Sequence, residues 1–205
     1  RQMCIRDSIC TWEYLKYFEK TGKKGMISSP CPAVVSYIEK YRKELIEYMM
    51  PVYSPVMCMA KYLKKYEHIT EKIAFLSPCI AKKSEINDKN CEQLISYNVT
   101  FNNFMDYIGD AYKTAREYND ERAYGLGSMY PMPGGLKENV KWFLGEDVSV
   151  RQVEGEHEAY RFLDEYKPSS DSPIMIDILN CANGCLFGTG TQSGIDAVSY
   201  THLRA

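Results

Sequence analysis

Three times along this chain an apolar run of strand length gives way at once to a turn that carries cysteine. Lys24-Gly-Met-Ile-Ser28 leads into Ser28-Ser-Pro-Cys31-Pro32. Lys72-Ile-Ala-Phe-Leu76 leads into Ser77-Pro-Cys79-Ile-Ala-Lys82-Lys83. Ile174-Met-Ile-Asp-Ile-Leu179 leads into Asn180-Cys181-Ala-Asn-Gly-Cys185-Leu-Phe-Gly188-Thr-Gly190. Between these runs lie stretches with apolar residues every three or four positions, the helical period. They predict helices from Pro32 to about Met49, Pro55 to Tyr66, Phe101 to Tyr118 and Glu156 to Tyr166. Shorter helices are expected at Trp12–Glu19 and Leu136–Leu144, a strand at Val148–Val153, and a loop from Tyr124 to Gly135. Strands alternating with helices predict an α/β fold, a mostly parallel twisted sheet flanked by helices. In such a sheet the carboxyl ends of the strands open on one crevice, where ligands bind. Topology therefore delivers Cys31, Cys79, Cys181 and Cys185 to one region.

Composition narrows what such a crevice serves. The 205 residues suit one domain or two small lobes, with 45% hydrophobic and 25% charged residues, the balance of a soluble globular chain. A net charge of −2 argues against a nucleic-acid or anionic-membrane surface. No apolar run approaches the ~18 residues of a membrane span, and no basic start precedes an apolar leader. The expectation is a reducing, cytoplasmic compartment, where grouped cysteines more often hold metal than form disulfides. Thiolates suit iron-sulfur clusters and zinc. Eight cysteines are present. Cys10, Cys58 and Cys91 read as small hydrophobes of the core; Cys58 lies in Val56-Met57-Cys58-Met59, an apolar helix face. For the four strand-end cysteines, spacing alone leaves a metal site and ordinary buried thiols both open. Asn98-Val-Thr100 matches a glycosylation acceptor and, without secretion, reads as chance.

Both ends lack this patterning and resemble translated adaptor sequence. The expectation is that 1–8 and 197–205 are non-native, which removes Cys4 and His202 from consideration. Residues 9–196 would then form the domain, with lobes of roughly 9–100 and 101–196 and the chain an internal fragment of a longer protein.

Together the three cysteine segments resemble the signature motifs of the catalytic domain of iron-iron hydrogenases: T-S-C-C-P, M-P-C-x-x-K-x-x-E and E-x-M-x-C-x-x-G-C-x-x-G. The second reads here Ser77-Pro-Cys79-Ile-Ala-Lys82-Lys-Ser-Glu85. The third reads Asp177-Ile-Leu-Asn-Cys181-Ala-Asn-Gly184-Cys185-Leu-Phe-Gly188. A glycine-rich segment before the third motif has its counterpart in Gly125-Leu-Gly127 through Gly134-Gly135. The resemblance spans roughly residues 10–195. It implies a cofactor cleft between two lobes, with a 4Fe-4S cubane on Cys31, Cys79, Cys181 and Cys185. Cys185 would bridge to a di-iron subcluster carrying CO, cyanide and dithiolate ligands. Lys82 would contact a cyanide, Glu85 would stand behind it, and backbone at Ser77-Pro78 and Gly134-Gly135 would line the di-iron pocket. H2 and protons would be the substrates. A ferredoxin-like donor or fused ferredoxin domain would supply electrons, and hydrogenase maturation proteins would build the cofactor.

The departures from the motifs carry as much information. The first cysteine of T-S-C-C-P, the family's proton shuttle, is Pro30, which has neither an ionisable group nor an N–H. Ser77 and Leu179 replace methionines and Asp177 replaces a glutamate. Cys79 and Cys181 stand only 102 positions apart. These features resemble the family's sensory branch, in which a slow hydrogenase-type domain lies between ferredoxin-like and PAS-type signalling modules. Two other readings remain: a relative with the 4Fe-4S cubane alone, serving iron-sulfur assembly or electron transfer, and a zinc-binding interaction domain on the same four cysteines.

Overall fold

The computed structural model describes residues 2–115 and 126–191, with side chains from Ser8 onward except that of Ser128. Its centre is a three-stranded parallel sheet in which β5 (Met175–Leu179) lies between β1 (Met26–Ile27) and β4 (Val150–Glu154). All five residues of β5 are buried: the strand is covered on both faces, as its four apolar residues suit, and it takes Asp177 into the interior with them. The strand's alternation divides its partners. Met175 faces α1 (Gln2–Thr21) and α6 (Gly135–Leu144), whereas Ile176 and Ile178 face α2 (Pro32–Tyr41) and α7 (Glu156–Glu165). Helix α1 meets the sheet through Cys10, Tyr14 and Phe18, with Leu15 beside them, one stripe at a spacing of four.

A second sheet pairs β2 (Ala74–Ser77) with β3 (Tyr97–Thr100), again parallel and in register from Ala74–Tyr97 to Ser77–Thr100. Around it lie α3 (Pro55–Lys65), α4 (Lys82–Ile86) and α5 (Phe101–Thr114). A separate core of Val56, Met57, Ala60, Ile86, Cys91 and Ile95 joins α3 to α4 and the segment before β3. The expected α/β fold of parallel sheets flanked by helices is the fold observed. The three-stranded sheet takes β1 from before residue 100 and β4 and β5 from after it.

The differences from the sequence reading are local. Helix α2 ends at Tyr41 rather than near Met49, and the chain continues through 3-10 turns over Lys43–Tyr48. Arg42 turns out of helical geometry while its guanidinium donates to the carbonyls of Leu163 and Tyr166 at the end of α7. Tertiary hydrogen bonds thus override a helical period that persists through Leu45. The first helix reaches back to Gln2. Strand β3, which carries no clear sequence signal, takes in Asn98-Val-Thr100. Tyr118, the expected end of the helix that starts at Phe101, lies outside the described residues, as do Tyr124, Gly125 and His202. No helix among the described residues is long and apolar enough to cross a membrane.

Candidate metal centre

The cysteine loops are stitched to one another and to the sheet by backbone hydrogen bonds. Cys31 closes the loop after β1 and opens α2, with Pro32 as its first residue, where a missing N–H leaves nothing unpaired. Ser28 ties that loop to β5: its N–H donates to Ile176 O (2.9 Å), and its Oγ accepts the Ile178 N–H (3.1 Å). After β2, the buried Ser77 hydroxyl accepts the Cys79 N–H (3.0 Å) and donates to Cys79 O (2.9 Å), fixing the turn. Asn98 on β3 donates to the same Cys79 carbonyl (3.1 Å). The third loop then locks onto the second. The Gly190 N–H donates to Pro78 O (2.8 Å), and the Ile80 N–H to Thr189 Oγ1 (3.2 Å). Finally, the Cys185 N–H donates to Pro131 O (2.7 Å).

Two glycines make this closeness feasible. Gly184 holds φ +73°, and a Cβ there would sit 2.6 Å from Pro131 O. At Gly190 a Cβ would meet the Thr100 side chain at 2.9 Å and the Cys79 nitrogen at 3.1 Å. Gly134 and Gly135, also singled out in the sequence, sit at the start of α6. Gly134 opens α6 against Gln152, and Gly135 presses on the Met129 carbonyl. Pro131 and Pro133, just before them, contact the Cys185 loop.

The four sulfurs feel one another. Burial pushes the Cys185 thiol up to about 12, and Cys31, Cys181 and Cys79 each raise it further, while the Lys82 ammonium opposes them. Burial, Cys31 and Cys79 likewise raise Cys181, against hydrogen bonds from Asn180 and the Thr189 backbone. Lys82 is held among these loops. Its Nζ donates to Pro30 O at 3.0 Å and to Glu85 Oε2 at 2.5 Å, a mostly buried ion pair one helical turn apart. An ammonium has three protons, so one is left for a ligand. Tyr160 borders the site: its hydroxyl donates to Asn180 Oδ1 (2.5 Å), and its pKa is raised by burial and then by the charges of Cys31, Glu156 and Cys181. Among the described residues no three His, Cys, Asp or Glu side chains are grouped tightly enough to hold a single ion. The sulfurs are neighbours without converging on one point.

Residues 4–144 match the sequence profile of the iron only hydrogenase large subunit, C-terminal domain. The chain belongs to that family. The matched segment includes Cys31, Cys79, Lys82 and Glu85; Cys181 and Cys185 lie beyond it and are brought to the same place by the fold. Among curated relatives, the chain is 28% identical over 153 residues to the cytosolic Fe-S cluster assembly factor NAR1 of Kluyveromyces lactis. That match covers 75% of this chain and 31% of the yeast protein, so the chain spans about a third of that relative. The fold matches an apo FeFe-hydrogenase HydA1 variant from Chlamydomonas reinhardtii with a TM-score of 0.66 and 14% identity, over 99% of this chain and 71% of that one. It also matches HydA(deltaEFG), from a structure describing stepwise H-cluster assembly, with a TM-score of 0.62 and 15% identity, over 99% and 70%.

Within this hydrogenase-family domain the altered motif positions acquire structural roles. Ser77 spends its hydroxyl on the Cys79 turn. Asp177, buried on β5, accepts the Lys137 N–H at 2.9 Å. That N–H belongs to the first turn of α6, whose own N-cap, Gly134, offers no side-chain acceptor. Sequence reasoning does not single out Thr189, Pro131, Asn98 or Tyr160. Thr189 stands beside the third motif, whereas the other three carry no local signal, since each acts across a fold contact.

Proposed function

We propose that this domain binds a 4Fe-4S cubane through Cys31, Cys79, Cys181 and Cys185, with Cys185 also bridging to a di-iron subcluster, for slow or H2-sensing hydrogenase chemistry. The observation that carries the reading is the neighbourhood of four mutually interacting thiols, from three strand-end loops, beside one mostly buried ammonium, Lys82. The donor set fits: four thiols are the ordinary ligands of a cubane, and their spread suits a polynuclear cluster better than one zinc ion, which draws its ligands onto a single point. When bound, the cluster supplies the redox and hydrogen chemistry. The chain's own contribution is to bind and orient it. Hydrogen-bonded turns at Ser77–Cys79 and Gly184–Cys185 hold two of the ligands, and Lys82, near enough to act on the Cys185 thiol and with one proton beyond its two partners, would donate to an anionic ligand. Proton delivery is where this chain departs from the motif, because Pro30 carries no proton at the position of a thiol.

A second reading has its own support. Similarity to a cytosolic Fe-S assembly factor and the lost relay both suit a cubane-only, non-catalytic role in assembly or electron transfer. Infrared spectroscopy of the matured protein separates the two. CO and cyanide stretching bands establish the di-iron subcluster; a cubane without them establishes the second reading. If the bands are present, H2 evolution with reduced methyl viologen should be slow, and Pro30→Cys should raise it. A wild-type rate matching a prototypical hydrogenase would overturn the slow assignment.

A further inference from the structure

Behind the metal centre lies a second pair of thiols. Cys10 belongs to the buried stripe of α1 and Cys58 to the buried face of α3; they are 0% and 7% exposed. Both thiols donate to one acceptor, the Tyr53 carbonyl, at 3.5 Å from Cys10 and 3.4 Å from Cys58. Cys10 is the largest influence holding Cys58 below the ordinary thiol range, against burial and the charges of Glu13 and Glu85. Cys10 Sγ further lies 3.0 Å from the Tyr130 hydroxyl. Cys91, the remaining buried cysteine of this half, contrasts with them. It sits in the apolar core of α3 and α4, where burial raises it to about 11.

We propose that Cys10 and Cys58 form a redox-active dithiol that closes to a disulfide between α1 and α3 on meeting a small-molecule disulfide such as oxidised glutathione. Two sulfurs that share one carbonyl acceptor, at 3.5 and 3.4 Å, stand side by side between packed helices, the arrangement from which a disulfide can close. The exchange proceeds in two steps. The Cys58 thiolate attacks one sulfur of the oxidant, giving a mixed disulfide and releasing one thiol that takes up the Cys58 proton. The Cys10 sulfur then attacks Cys58 Sγ, expelling the second thiol with the Cys10 proton. The two protein thiols are oxidised by two electrons and the one small disulfide is reduced to two thiols. Cys58 is the entry point because some of its surface is exposed, whereas Cys10 is fully buried, and its thiol lies below the ordinary range.

Closure reaches the metal centre along two lines. It removes the S–H donors from Tyr53 O and the thiol beside the Tyr130 hydroxyl, and Tyr130 directly precedes Pro131, whose carbonyl holds the Cys185 N–H. It also removes the thiol whose charge feels that of Glu85, the partner of Lys82. The cross-link would close a long loop between the first helix and α3 and so restrict the unfolded chain.

The test is a peptide map of the full chain, equilibrated without oxygen in buffers of graded reduced-to-oxidised glutathione ratio, alkylated and digested. The four centre cysteines are mapped separately in the same digest, so the result stands whether or not iron is loaded. The expected product is one cross-linked species joining the Cys10 and Cys58 peptides, reversed by dithiothreitol, with a thermal midpoint several degrees higher when closed. Recovery of the two cysteines as separately alkylated peptides across the whole range overturns the proposal. So does Cys58 trapped only as its glutathione adduct, or linked to Cys91. Cys58→Ser should abolish the oxidant-induced rise in melting temperature; a rise that persists assigns it to another pair. Should that variant not fold, the wild-type map alone decides.

Discussion

Asp177 is a carboxylate placed where water cannot reach it, and its replacement gives a quantity that can be worked out beforehand. It is 3% exposed, at the centre of β5. Burial raises its pKa from 3.8 to about 6, with Glu154 adding to the rise, while the Lys137 N–H and ammonium pull the other way. Desolvation therefore outweighs the stabilisation of a carboxylate at a helix N-terminus, which is typically about 0.3–1 kcal/mol. For an acid raised on folding the folded chain binds the extra proton, so stability falls as pH climbs from the unfolded to the folded pKa. The window runs from 3.8 to about 6. Two pKa units and a little more correspond to about 3 kcal/mol, most of which falls between roughly pH 4 and 7.5. Asp177→Asn keeps an oxygen for the Lys137 N–H and has nothing to ionise. Urea unfolding of both proteins at several pH values across that span should show wild type losing stability relative to the variant by that amount. The comparison uses the change with pH, because any fixed cost of the new amide's N–H groups, about 1–3 kcal/mol if left unpaired, cancels. Parallel profiles would refute the reasoning, and a gap that opens in the opposite direction would mean that the Lys137 contacts dominate.

Three further outcomes follow from the geometry. Cys185→Ser should abolish stable iron loading while leaving the iron-free fold intact by circular dichroism, because the buried position then offers no thiolate; iron and sulfide content at the wild-type ratio would count against it as a ligand. Gly184→Ala should cost about 2 kcal/mol or more in urea unfolding and weaken iron retention, since it forces a side chain into a left-handed backbone position against Pro131 O, 2.6 Å away. Ile176→Ala, at a fully buried position between β1 and β4, should lower stability by about 2–5 kcal/mol without changing the iron stoichiometry of the protein that remains folded.

What can be read from sequence here is what local chemistry decides. The β5 run is apolar at four of its five positions because the strand is covered on both faces, and that pattern is written in adjacent residues; the burial of the fifth, Asp177, depends on the Lys137 N–H of α6 and is not. The gathering of Cys31, Cys181 and Cys185 is legible for a topological reason: β1 and β5 are parallel neighbours and present their carboxyl ends on one side. Cys79 follows β2 of the other sheet, and hydrogen bonds linking the third loop to Pro78 O and the Ile80 N–H bring it in. The end of α2 is not legible, because Arg42 leaves the helix for carbonyls more than a hundred residues away. Strand β3 escapes notice for a related reason. Its four residues pair with β2 only because α4 and the turn after it return the chain alongside. The same holds at the site: Pro131 and Asn98 contribute a backbone carbonyl and a side-chain amide, and neither identity nor spacing marks a residue for such a task.

Pro30 brings these threads together. A proline cannot carry a proton or donate an N–H, yet its carbonyl remains, and that carbonyl is what Lys82 grips at 3.0 Å. Glu85 takes a second Lys82 proton. The substitution therefore removes a proton carrier from the first loop while keeping the loop as an anchor for the ammonium beside the cysteines. Binding and proton delivery are separable at this site, because they depend on different atoms of the same residue. Under the proposed function, a chain altered in this way would keep the means to hold a cluster and lack a step needed to turn it over quickly. That asymmetry suits both a slow hydrogen sensor and a cubane-bearing assembly protein. The residues that distinguish them are those facing the third Lys82 proton, where an anionic ligand is either present or not.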